Sequence, residues 1–156
     1  MSLVVAGASK HWETEEFMLV LSATAANAAE VRHRLAEWLH VRAVPTSVIA
    51  DVVLAVYEAC ANCVEHAYLD VAAGPMRVHA TPTALGLIAR VSDHGTWRAP
   101  TAILRGGRGI ALIRAVSDTL TLTRTACETT VTMQFCWRDT DPAGEPGCGY
   151  EPSAVR

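Results

Sequence analysis

The stretch that most constrains this chain is PTSVIADVVLAVYEACANCVEHAY, residues 45–68, because its pattern fits only a helix with one dry face. Take Glu58 as zero on a helical wheel at about 100° per residue. Asn62 then falls near 40°, His66 near 80° and Asp51 near 20°. Ile49, Val52, Val53, Val56, Cys60, Cys63, Val64 and Ala67 gather on the far side, at about 120–240°. Thr46 or Ser47 can cap the start, and Asp51 lies near the positive end of the helix dipole. On periodicity alone the stripe Glu58, Asn62 and His66 is a solvated face. Its chemistry is still suggestive. A carboxylate and a carboxamide one turn apart offer oxygens that suit magnesium. A carboxylate there can also orient or deprotonate a hydroxyl.

The segments around this helix set the class of fold. Residues 17–23 (FMLVLSA) form a compact apolar run and are expected to be a strand. Residues 25–41 follow helical spacing, with Val31, Leu35, Trp38 and Leu39 on one face. After Gly74-Pro75, residues 76–81 and 85–92 read as two strands around a turn at residues 82–84. Residues 110–116 form a short helix, and residues 119–125 and 129–137 alternate as a closing hairpin. The expected fold is an α/β two-layer sandwich: a mixed, mostly antiparallel sheet covered on one face by helices. Residues 1–16 are an N-terminal extension and residues 17–138 the domain. The tail from Asp139 onward is rich in proline and glycine and reads as disordered.

Charge and composition narrow the function. A net charge of −3, with Lys10 as the one lysine and arginines scattered along the chain, disfavours direct nucleic-acid binding. No secretion signal is visible. The most apolar stretch is interrupted by Asp51, Glu58, Asn62, Glu65 and His66, so neither a span nor a membrane partner is expected. A cytoplasmic location follows as the expectation. Cys60 and Cys63 form a CxxC pair, but both lie on the apolar face and read as buried thiols.

Residues 93–109 hold four glycines and Pro100, and read as an irregular loop. Gly106, Gly107 and Gly109 precede a helix, where backbone amides and the helix start can meet an anion, with Arg105 and Arg108 adding charge. The segment is not a P-loop, since Gly-Lys-Ser/Thr is missing, nor a dinucleotide fingerprint.

Taken in order, EACANCVEHAY (residues 58–68), SDHGTW (92–97), GGRGIALI (106–113) and ETTVTM (128–133) resemble the GHKL, or Bergerat-fold, ATPase and kinase superfamily. More closely, the chain is similar to bacterial anti-sigma-factor serine/threonine kinases of partner-switching systems, over roughly residues 17–137. The resemblance implies ATP and Mg²⁺ as cofactors, with Asn62 coordinating the magnesium that bridges the phosphates and Glu58 as general base for a serine or threonine hydroxyl, or orienting water. Asp93 would accept from the adenine amino group, and Gly95 would let the base approach the backbone. Gly107 and Gly109 would form the phosphate loop, residues 97–105 the lid, and Arg105 or Arg108 would reach the phosphates. Thr129 would support the adenine. The implied partners are a sigma factor and an anti-anti-sigma STAS-domain antagonist, which the chain would phosphorylate, and a homodimer is implied as well.

Two departures stand out. Trp97 occupies the place of a second glycine. Glu128 replaces the glycine expected before Thr129, which leaves Thr130 as the alternative contact. These departures motivate a second reading, a non-catalytic ATP-sensing module that sequesters a protein partner. A histidine-kinase catalytic domain and a CxxC redox protein are less favoured.

Overall fold

A computed structural model describes residues 15–96 and 108–137. Strand β1 (Phe17–Ser22) leads into helix α1 (Ala25–Val41) and helix α2 (Thr46–Asn62). A π-helical turn, Cys63–Ala67, extends α2. Strands β2 (Pro75–Thr83) and β3 (Gly86–Asp93) follow, then helix α3 (Arg108–Val116), β4 (Thr119–Arg124) and β5 (Thr129–Cys136). The five strands form one sheet in the order β1-β2-β3-β5-β4. Every described pairing is antiparallel, so within these residues the expected mixed sheet has no parallel member.

Alternation makes the two layers. On β5, Thr129, Val131, Met133 and Phe135 are buried, and the residues between them are not. The same holds on β2 for Met76, Val78 and Ala80. These inward residues meet Val31, Leu35 and Leu39 of α1, Val52 and Val56 of α2, and Ile113 of α3 in one core. Helix α2 is central: it contacts α1, α3, β3 and β5. That position explains its composition. With its π turn it is long and apolar enough to cross a membrane, yet its apolar side is the one buried in the core.

Several boundaries differ from the sequence expectation. Helix α1 is capped by Thr24, whose hydroxyl accepts from the Asn27 amide at 3.2 Å. Helix α2 has no such cap: it starts at Thr46 behind Pro45, and neither Thr46 nor Ser47 provides a side-chain cap. Pro45 fixes the entry backbone instead. Pro82 lies in β2 rather than in a turn, paired with Leu87. This is tolerated because pairing with β1 ends at Ala80, which leaves the other edge of β2 open at Pro82.

Candidate functional site

The helix stripe predicted as a wet face is covered at one end. Glu58 and Asn62 are half-buried beneath the start of α3. A Cβ on Gly109 would stand 3.0 Å from Glu58 Oε2, 3.6 Å from Asn62 Oδ1 and 3.7 Å from its Nδ2. A side chain at 109 would press on the end of the Glu58 side chain and touch the Asn62 carboxamide, so glycine lets this helix start lie directly over both. Asn62 Nδ2 is buried and has no hydrogen-bond partner among the described residues. An unsatisfied buried amide costs about 1–3 kcal/mol, so this is a position that favours an acceptor from beyond the described residues.

His66 does not continue the stripe in the expected way. The wheel holds from Glu58 to Asn62, but the α-helix ends there and the chain widens into the π turn. Five-residue spacing changes the angle per residue, and such turns recur at functional sites. His66 Nε2 lies 3.6 Å from Glu65 Oε2.

The π turn serves a second group of residues, at the end of β3. Asp93 is 1% exposed. Its Oδ1 accepts from the Gly95 amide at 3.0 Å, and its Oδ2 accepts from the Cys63 thiol at 3.4 Å. A Cβ on Gly95 would fall 2.0 Å from the Ala67 carbonyl oxygen. Glycine is therefore required at 95 because the backbone passes directly over the last residue of the π turn. Next to it, the Tyr68 hydroxyl accepts from the His94 amide at 3.1 Å and donates to the Pro75 carbonyl at 2.7 Å. His94 Nδ1 donates to the Cys127 carbonyl at 3.0 Å, which ties the β4–β5 hairpin to the same place.

Thr129 faces Asp93 across the β3–β5 ladder and is 2% exposed. Thr130 pairs with Ser92 and, by alternation, points to the opposite face of the sheet. Of the two threonines, the geometry brings Thr129 to the Asp93 side. Arg108 is exposed at the first turn of α3. Arg105, Gly107, Trp97 and the disordered tail expected after Asp139 lie outside the described residues.

Sequence reasoning missed three members of this neighbourhood: the Cys63 thiol, the Ala67 carbonyl and the Tyr68 phenol. The two CxxC thiols are free and buried. Burial pushes the Cys60 thiol up to about 12, and burial followed by the nearby Asp93 charge raises Cys63 further. Thiols held protonated in this way are poor nucleophiles and poor redox groups.

A model of the histidine kinase-like ATPase domain matches residues 21–135, most of the described chain. The chain belongs to the histidine kinase-like ATPase family. Membership implies ATP as its ligand, and the two-layer sandwich is the fold of that family. The domain is also similar to a crystal structure of the RsbU and RsbW domains of Rv1364c from Mycobacterium tuberculosis, at 32% identity and a TM-score of 0.61. The match covers 80% of this chain and 33% of that one, so the chain spans about a third of the length of that structure. This likeness is consistent with the anti-sigma kinase branch that the motifs resemble.

Proposed function

We propose that the chain is an RsbW-type anti-sigma factor that binds Mg–ATP and phosphorylates a serine or threonine of a STAS-type antagonist. In this reading it acts in the cytoplasm, as a homodimer, and holds a sigma factor when the antagonist is phosphorylated. One observation carries the proposal: Gly109, in the first turn of α3, lies directly above Glu58 and Asn62, so a helix start, a carboxylate and a carboxamide whose Nδ2 has no partner among the described residues converge on one place.

The residues fit the implied magnesium. Among the described residues no group of three or more His, Cys, Asp or Glu side chains stands ready to hold a metal by itself. A single carboxamide oxygen is instead the donor set of an ion held mainly by substrate phosphates. When bound, magnesium would neutralise charge building on the phosphates. Asn62 would hold it through Oδ1, while its Nδ2 donates to a phosphate oxygen. The first turn of α3 would direct its amides and Arg108 at the same phosphates. Glu58 would accept the proton of the attacking hydroxyl and hold that oxygen in line. Asp93 would accept from the adenine amino group, and the tight passage of Gly95 over Ala67 would shape the wall beside the base.

The test is transfer of phosphate from Mg–ATP to a cognate antagonist. Glu58→Ala is expected to lower the transfer rate by about 10²–10⁴ while ATP still binds. If the variant controls its partner as the wild type does, and the wild type itself transfers no phosphate, the non-catalytic sensing module is the correct reading.

A further inference from the structure

We propose that Cys63 is a positioning residue for the Asp93 carboxylate, and through it sets the affinity and base selectivity of the nucleotide site. The inference rests on the reading that Asp93 receives the adenine. A carboxyl group that is 1% exposed must be hydrogen-bonded, and it has one soft torsion about which its oxygens can turn. Gly95 N–H on Oδ1 fixes one oxygen, and the Cys63 thiol on Oδ2 fixes the other. Two donors on two oxygens define the plane of the group.

Cys63 reaches Asp93 because it opens the π turn. It sits 2% exposed at the junction where α2 changes pitch; Cys60, one turn earlier, shares the same buried core, and Cys63 is the thiol that donates to Asp93. A thiol suits this task. It is a weak donor, so it orients Oδ2 without competing strongly with an incoming amino group, and a carboxylate oxygen accepts more than one hydrogen bond. Burial and the neighbouring carboxylate keep the thiol protonated, so it remains a donor.

Calorimetry with ATP and GTP on the full chain separates the outcomes. Cys63→Ala is expected to weaken ATP by about three- to tenfold and to reduce the ATP-over-GTP preference. Cys63→Ser, which restores a donor, is expected to recover part of both. A purely structural thiol would instead lower thermal stability with the base preference unchanged, and that result overturns the inference. If Asp93→Asn abolishes adenine selectivity but Cys63→Ala binds like wild type, the inference fails and the adenine reading stands. If Asp93→Asn changes nothing, both fail. An infrared readout does not depend on the alanine variant folding. The S–H stretching band of Cys63 is expected to move to higher frequency in Asp93→Asn, and an unmoved band contradicts the hydrogen bond.

Discussion

At the end of β3, both oxygens of Asp93 are engaged by the chain itself, and Gly95, Ala67, Tyr68 and His94 lock the backbone around them. At the start of α3, Glu58 and Asn62 are half-buried and Asn62 Nδ2 has no partner among the described residues. The first region is preorganised: its geometry is fixed before any nucleotide arrives. The second leaves hydrogen-bonding capacity that a phosphate and its metal would satisfy. The difference fits a site in which base recognition is built into the fold and the phosphate end is completed by its ligand. In the proposed reading, preorganisation lowers the ordering cost of binding at the first end, and groups aimed at the transferring phosphate would act at the second.

Two substitutions of glycine by alanine probe this contrast directly. Gly95→Ala is the more severe, because the added methyl meets the Ala67 backbone carbonyl at 2.0 Å and neither chain segment can step aside cheaply. A loss of about 2–3 kcal/mol in chemical denaturation is expected, together with loss of ATP binding. A variant as stable as wild type would mean that the Asp93 end is not rigid. Gly109→Ala is milder. Its methyl meets the far end of the Glu58 side chain at 3.0 Å, which can swing away. Alanine is also the better helix former by about 1 kcal/mol. Stability is expected to hold or rise slightly, while phosphate transfer falls on the order of ten- to a hundredfold as Glu58 is displaced. Unchanged transfer would break the link between α3 and Glu58.

Much of this was legible in the sequence for a physical reason. Period-2 alternation on β5 and 3.6-residue spacing on α1 and α2 are direct consequences of burying one face, so the core residues announced themselves. Glu58, Asn62, Asp93 and Gly109 stand out through the four boxes that resemble the GHKL superfamily, since by periodicity alone Glu58 and Asn62 are a solvated helix face. Cys63 does not, since a thiol on an apolar face looks the same whether it fills space or donates to a carboxylate. The π turn was equally hidden: a change of helical pitch over Cys63–Ala67 leaves no mark on a hydrophobic pattern that short. Nor does spacing reveal that the Ala67 carbonyl and Gly95, far apart in sequence, must touch.

In the proposed function, Asn62 and Asp93 mark the two ends of one Mg–ATP site. Calorimetry of ATP binding, with and without magnesium, on wild type, Asn62→Ala and Asp93→Asn tests it most directly. Asn62→Ala is expected to lose the magnesium dependence while keeping affinity for the base. Asp93→Asn is expected to lose about tenfold or more in affinity with the magnesium dependence intact. Wild-type binding in both variants would contradict it.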